Sequence, residues 1–349
     1  TVDAPIGEHA SIQVAARKAI SDFFETPTYT EYFDRITQDT EIESNVATVT
    51  NSDINFDFYD TSLRLVFRPT DKDFFRVNFI NTDNQVNFKE SALVDERDEQ
   101  RESSLDQRTI AAGFHYVRNW NPNFTSEFNI YESDYKLRAI NSNVLQDQRF
   151  LQENIVSETG VRAMAGNRIF KNLEWRNGYN FVETKITNLD DVDDPIFRRL
   201  EGEVLRTHAV FSEIDWSTPN NSTHLNAGVR FNYLEKFKKQ IWEPRLSFNH
   251  KYLQWFNVES LGEFKHQNTS QVINFQNDFL GIEKRRWQLT NDSDIPIIQS
   301  KQGSLGLSYE RSNWLVNVVG FLKEVDGITT QSQGFLDRYE LIRTSGQYD

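Results

Sequence analysis

The chain has 349 residues, a formal net charge of −14, no cysteine and a single methionine. The lack of cysteine excludes disulfides and thiolate metal sites, and an acidic chain without a basic stripe is a poor match for a nucleic-acid backbone. We therefore expect no cofactor and no nucleic-acid partner. No apolar run reaches the roughly 20 residues that a membrane helix needs, but a membrane strand needs only alternate apolar residues.

Thirteen segments of strand length alternate apolar and polar residues with period two, which is typical of strands with one apolar face. The clearest is 223–234, where Leu225, Val229 and Phe231 share one face and Asn226 and Arg230 share the other. In chain order the segments lie at about 9–20, 62–68, 75–79, 109–116, 124–130, 152–165, 171–184, 203–216, 223–234, 241–251, 254–266, 303–310 and 313–326. The last of them is apolar on both faces.

The links between these segments alternate between short and long. The short links are 69–72, 119–122, 166–169, 217–221, 252–254 and 311–313, and the long ones are 21–56, 81–108, 135–151, 185–202, 267–298 and the tail from 327. An ordinary antiparallel sheet with one solvated face gives the same alternation within each strand, but it does not explain the loop lengths. A membrane barrel does, because its periplasmic turns are short and its extracellular loops are long.

The polar face of the segments is rich in Arg, Glu, Asn and His, so we expect it to line a polar interior and the apolar face to lie outside. Tryptophan gives a second indication, since aromatic girdles mark the membrane interfaces of barrels. Five of the seven tryptophans lie within a few residues of a short link, and we predict that they form a periplasmic aromatic rim: Trp120, Trp175, Trp216, Trp255 and Trp314. Trp242 and Trp287 lie on the long-loop side.

These patterns predict an all-β fold, an antiparallel transmembrane β-barrel with about 13–14 strands in this chain. Bacterial single-chain barrels usually have an even number of strands, and the thirteen segments are followed by the start of another near Tyr339 to Tyr348. We therefore expect the chain to form part of the wall of a larger barrel.

Three stretches resemble the barrel of TonB-dependent receptors of Bacteroidota-type bacteria: Pro244–Asn249, Phe279–Trp287 and Ile297–Tyr309. The run Asn317–Ile328 is similar to the strand that follows in that family. The resemblance is sharpest over residues 240–349, and elsewhere it is one of architecture alone. In that family, an acidic residue often precedes the glycine of the strand that corresponds to the one containing Gly306. This chain has Ser304-Leu305 there instead.

The resemblance implies a 22-stranded barrel in the outer membrane of a Gram-negative cell, with a plug domain inside it. It also implies energised uptake of a scarce nutrient, such as a siderophore, another metal chelate or a glycan, through the TonB complex. No plug-like segment and no TonB box near Thr1 are evident. We expect residues 1–349 to be a partial barrel domain without its plug, with TonB contacted through an absent N-terminal region. Alternatives left open are a passive porin-like channel and a soluble β-sheet adhesin or binding protein.

No catalytic arrangement is evident in the sequence, so we expect no enzyme. The six histidines show no metal-ligand spacing and are expected in lumenal or rim positions: His9, His115, His208, His224, His250 and His266. The acidic run 190–194 offers oxygen ligands for Ca²⁺ but lacks the glycine turn and the spacing of a calcium loop, which favours a solvated loop.

Residues near the end of the link 267–298 combine a stacking ring with charges, a mixture that suits a polar ligand. We predict ligand contacts at Arg285, Arg286, Trp287, Asp292 and Asp294. Packing within the loop would explain the same residues.

Overall fold

The computed structural model describes residues 1–19, 49–94, 97–143, 148–277, 283–293, 295–331 and 341–348. These residues form the strands β1 (Val2–Ile6), β2 (Ala10–Lys18), β3 (Val49–Thr70), β4 (Asp73–Val94), β5 (Arg97–Asn121), β6 (Phe124–Asn143), β7 (Gln148–Phe170), β8 (Leu173–Val192), β9 (Phe197–Ser217), β10 (Thr223–Leu234), β11 (Lys239–Tyr252), β12 (Phe256–Gln267), β13 (Thr269–Asn277), β14 (Glu283–Leu289), β15 (Ile298–Arg311), β16 (Trp314–Gln331) and β17 (Leu341–Tyr348).

Fifteen of these strands form one antiparallel sheet, here termed the wall, in which strands follow one another in chain order from β1 to β12 and then from β15 to β17. The remaining two, β13 and β14, pair only with each other. Each of the thirteen predicted segments is a wall strand, and β17 lies where the start of another was expected. The all-β antiparallel fold is therefore confirmed, whereas the total of 22 strands stays a prediction.

The strands are longer than the sequence pattern indicates. Strands β3 to β9 have 20 to 25 residues, about twice the 9–11 that cross a membrane. The long connections 81–108, 135–151 and 185–202 consequently consist mostly of strand. Backbone pairing continues there without clean alternation, because beyond the membrane neither face needs to be uniformly apolar.

At one end of the wall, here termed the tight-turn end, all the connections between described strands are tight turns. They link β1 to β2, β3 to β4, β5 to β6, β7 to β8, β9 to β10, β11 to β12 and β15 to β16. The turn expected at 166–169 lies slightly later, at 171–172, because β7 runs on to Phe170. At the opposite end, two described connections are equally short, since four residues join β8 to β9, 193–196, and four join β10 to β11, 235–238.

One face of the wall carries a band of exposed apolar side chains next to the tight turns. On β8 the band runs from Leu173 to Phe181, nine residues or about 26 Å along the strand, which at a tilt of about 40° spans about 20 Å of membrane. Exposed members on β8 and the other wall strands include Phe67, Val77, Phe79, Phe128, Ile130, Tyr179, Val210, Ile214, Val229, Leu246, Leu305 and Leu307. A band of this extent is a surface for lipid or for another protein rather than for water.

Beyond the band the same face becomes charged. Its ion pairs join neighbouring strands, as between Lys136 Nζ and Glu153 Oε2 at 2.7 Å and between Lys301 Nζ and Glu324 Oε2 at 3.7 Å. We term this zone the charged collar. The charged collar marks the end of the apolar band at a similar level on several strands. The parts of the strands beyond the predicted segments therefore lie outside the apolar layer.

The opposite face of the wall, here termed the polar face, is tightly packed in places by aromatic rings. The ring of Phe211 on β9 lies over Gly178 on β8, where an added Cβ would come within 2.4 Å of the ring. The ring of Tyr131 on β6 covers Gly160 on β7 in the same way. Glycine at these two positions lets a large side chain lie flat across the adjacent strand. No helix of the described chain is long and apolar enough to cross a membrane.

Candidate functional site

Charged side chains of the polar face are paired with one another. Arg176 on β8 lies 3.4 Å from Glu213 and 3.2 Å from Asp215, both on β9. On β11 the buried Glu243 accepts a hydrogen bond of 2.8 Å from the backbone N–H of His266, and His266 Nδ1 lies 2.7 Å from the same carboxylate. Such cross-strand pairs offset the cost of partial desolvation and fit a polar, water-accessible interior.

We term the connection from β12 to β15, residues 268–297, the inner segment, and its described residues fold onto this polar face. Asn268 Nδ2 reaches Thr207 Oγ1 on β9 at 3.4 Å, so the chain crosses over β11 and β10 as soon as it leaves the wall. Strand β14 then lies against β7, β8 and β9. The chain returns through Ile295 and Ile297, which are both buried.

Two asparagines of the wall contact the main chain of β14. Asn154 on β7 and Asn188 on β8 both donate from Nδ2 to the carbonyl oxygen of Trp287 at 3.3 Å. The N–H of Trp287 donates to Asn154 Oδ1 at 3.3 Å. The two amides are also joined, since Asn154 Nδ2 donates to Asn188 Oδ1 at 2.9 Å. The donor and acceptor of one peptide residue are thus satisfied by side chains of the wall.

An ion pair lies beside this contact. Arg286 Nη1 donates to Asp190 Oδ2 at 2.9 Å, and Arg286 Nη2 makes a second, shorter contact with Asp190 Oδ1. The side chains are only 17% and 20% exposed. A two-pronged, largely sheltered guanidinium–carboxylate pair fixes orientation as well as position.

An apolar cluster completes the contact between the inner segment and the wall. Leu289 of β14 and Ile297 are packed with four residues of β8 to β11, namely Ile186, Leu205, Leu234 and Ile241. Trp287, Val156 and Phe237 pack against the edge of this cluster. The polar face therefore has an apolar patch toward the end of the wall opposite the tight turns, which the sequence pattern did not predict.

The predicted ligand contacts all belong to the inner segment. Arg286 is paired with Asp190, the Trp287 main chain is held by the wall asparagines, and Asp292 Oδ1 accepts from Lys239 Nζ at 2.8 Å. The structure thus uses these three to attach the segment to the wall. The Arg285 side chain and Asp294 lie outside the described residues, and contact with a ligand stays a prediction for the set.

The five predicted rim tryptophans all lie at the tight-turn end of the wall. Trp120 and Trp175 each donate from Nε1 to a serine hydroxyl of an adjacent strand, Ser126 and Ser212, at 2.9 Å. Trp255 lies within the turn 253–255, while Trp216 and Trp314 stand next to turns. Trp242 lies on the apolar face toward the other end, with its ring 4.8 Å from that of Phe231.

The acidic run 190–194 is neutralised by arginines rather than gathered around a cation site. Asp191 lies 3.2 Å from Arg149 and 3.5 Å from Arg198, and Asp193 Oδ1 accepts from the Arg149 backbone N–H at 2.7 Å. Within the described ranges, no group of three or more His, Asp or Glu residues is arranged to hold a metal ion.

Asn154 and Asn188, which the sequence analysis did not single out, are central to the contact, together with Asp190, which the sequence analysis considered only as part of the acidic run 190–194. They share the polar face with the residues around them, and Asn154 and Asn188 are direct cross-strand partners. The register of β7 against β8 brings them together. Strand periodicity could have placed each on the polar face, but not opposite one another.

Family models and curated protein sequences give no match to the chain. Solved structures do match, among them a ferric enterobactin receptor from Pseudomonas aeruginosa, with a TM-score of 0.59 and 11% identity over 99% of this chain and 55% of that one. The copper transporter OprC matches with a TM-score of 0.62 and 10% identity, over 84% of this chain and 49% of that one. The RagAB peptide transporter matches with a TM-score of 0.55 and 10% identity, over 82% and 43%.

The chain thus spans about half the length of the receptors that it matches. Its wall has the fold of the β-barrel of TonB-dependent receptors. The resemblance that the sequence suggested is therefore confirmed at the level of the fold.

Proposed function

We propose that the chain is the barrel section of a TonB-dependent receptor in the outer membrane of a Gram-negative cell, and that the receptor takes up a scarce nutrient. One observation carries the proposal: an exposed apolar band about nine residues wide, bounded by tight turns with tryptophan at one edge and by the charged collar at the other. Membrane strands have this length, and aromatic residues mark such interfaces.

The opposite face fits transport. Its charged side chains are paired but remain partly accessible, as expected of the lining of a polar passage. A soluble adhesin or binding sheet would bury its apolar face, whereas Val229 in the middle of the band is 39% exposed. The receptors of similar fold are transporters, which favours transport over enzymatic catalysis. Residues 1–349 would then form one partial barrel domain, with contact to TonB made by another part of the protein.

The inner segment lies on the polar face toward the end away from the tight turns, where a ligand would enter from outside the cell. We propose that residues of this segment contact the ligand: Arg285, Arg286, Trp287, Asp292 and Asp294. The wall contacts of Arg286, Trp287 and Asp292 support a role in setting the position of the segment beside the ligand path.

Cell fractionation and conductance test the proposal on the full-length protein. We expect it in the outer-membrane fraction, with heat-dependent gel mobility, and we expect nutrient uptake to stop when TonB is deleted. In planar bilayers the receptor should be closed. Recovery in the soluble fraction without detergent would refute a membrane barrel, and a steadily open pore would identify a passive channel instead.

A further inference from the structure

The wall surface under β14 has the chemistry of a site for an extended peptide. Asn154 offers an acceptor to the N–H and a donor to the C=O of one residue, Trp287, and Asn188 adds a second donor to the same C=O. A side-chain amide carries both a donor and an acceptor, so it can match the two groups of a main-chain residue. This contact is independent of the side chain of the residue that is bound.

Side-chain selection comes from the two flanking features. Asp190 binds a basic side chain through two contacts to Arg286. Arg286 immediately precedes Trp287, the residue whose main chain is held by the two amides. The apolar cluster takes Leu289, two residues after Trp287, which is only 5% exposed. In an extended chain, the side chains of residues two positions apart point to the same side. When the amides hold the main chain of one residue, the side chain two positions later is therefore positioned to enter the apolar cluster.

We propose that this surface is a peptide-binding site of the receptor, that β14 occupies it in cis, and that the cargo is an extended peptide with a basic residue followed three positions later by an apolar one. The inference rests on the proposed function, because it names the substrate class of that transporter. A peptide fits the contacts better than a glycan or a chelate, since a main chain supplies an N–H and a C=O at the spacing of one amide.

The cis occupant sets how tightly a free peptide binds. A tethered segment competes at an effective concentration of the order of millimolar, so the apparent affinity for peptide falls by the fraction of protein in which the site is open. The change Arg286→Glu places a carboxylate against Asp190 and favours release of the segment. It leaves the wall residues that would contact the peptide unchanged.

The test uses the full-length receptor in detergent micelles and the peptide Lys-Arg-Arg-Trp-Gln-Leu-Thr, acetylated, amidated and fluorescently labelled, which corresponds to residues 284–290. Anisotropy should show binding to Arg286→Glu at least about tenfold tighter than to the unaltered receptor. Adding Asp190→Asn or Asn154→Ala to Arg286→Glu should remove at least about tenfold of that affinity. The matched control is Asp191→Asn, the neighbour that pairs with Arg149 and Arg198, and it should leave binding unchanged.

Peptide variants and hydrogen exchange give two independent readouts. A peptide with aspartate in place of leucine should not bind, and saturating peptide should speed amide exchange at Trp287 in the unaltered receptor by releasing β14. Equal binding by the Arg286→Glu variant and the unaltered receptor, equal binding of the aspartate peptide, or a Trp287 amide that stays protected would each overturn the inference.

Heat-dependent gel mobility identifies any variant that has not folded, and the exchange measurement on the unaltered receptor does not depend on variants. Because binding in micelles requires neither TonB nor an energised membrane, the outcomes separate. An outer-membrane receptor that fails to bind the peptide refutes the peptide site alone, whereas a soluble protein refutes the proposed function.

Discussion

A charge placed in the middle of the apolar band should be costly if the band faces lipid. Val229 lies four residues above Leu225 on β10, and Leu225 is in register with Leu173, where the band begins on β8. This is about 13 Å along the strand and about 10 Å along the membrane normal at a tilt of about 40°. That depth is close to the middle of the apolar band. An arginine at this depth on the lipid face of a barrel costs about 2–4 kcal/mol, so we expect Val229→Arg to lower the free energy of unfolding by that amount.

The matched control lies on the same face within the charged collar, in cross-strand register with Lys136. Thr187 on β8 is fourteen residues above Leu173, about 35 Å along the normal by the same geometry, and Thr187→Arg should cost less than about 1 kcal/mol. The assay is equilibrium denaturation of the full-length receptor in phospholipid vesicles. If both substitutions changed stability by less than about 0.5 kcal/mol, as is usual at water-exposed surfaces, the band would not face lipid and the reasoning would be wrong.

Three further outcomes are expected. Gly178→Ala should destabilise the receptor by about 1–3 kcal/mol through overpacking, because the new methyl group would collide with the Phe211 ring that covers Gly178. The control Gly262→Ala has open space for its methyl group and should be close to neutral. Equal effects of the two substitutions would contradict the packing argument. The fluorescence of Trp314 is measured as the difference between the unaltered receptor and Trp314→Phe. Lipids brominated near the headgroup should quench this fluorescence more than lipids brominated at the chain ends. The reverse order would contradict a rim position. The Arg149 backbone N–H holds the pKa of Asp193 below its usual value of 3.8, so this carboxylate stabilises its turn above that value and ceases to do so as the pH falls through the lowered pKa. The protection factor of the Arg149 amide, in which the exchange rate is corrected for its intrinsic pH dependence, should fall over that range. Asp193→Asn should make this protection factor independent of pH there.

The sequence by itself determined the class of fold and the order of the wall. Alternation along a strand is a local property, because each residue faces one side or the other regardless of what lies far away in the chain. Segments such as 223–234 therefore located the strands, and tryptophans such as Trp120 and Trp175 located the tight-turn end. The acidic links were also visible, but nothing local showed that most of their residues continue as paired strand.

The tertiary structure decided the contact between the inner segment and the wall. Asn154 and Asn188 come together through the register of β7 against β8, and Asp190 meets Arg286 across 96 residues of chain. Register is set by pairing along the whole strand, and the inward path of the inner segment is set by the apolar cluster that receives Leu289. The sequence showed which side chains were polar; only the assembled wall showed which of them hold a neighbouring strand, because that depends on distances that no single strand contains.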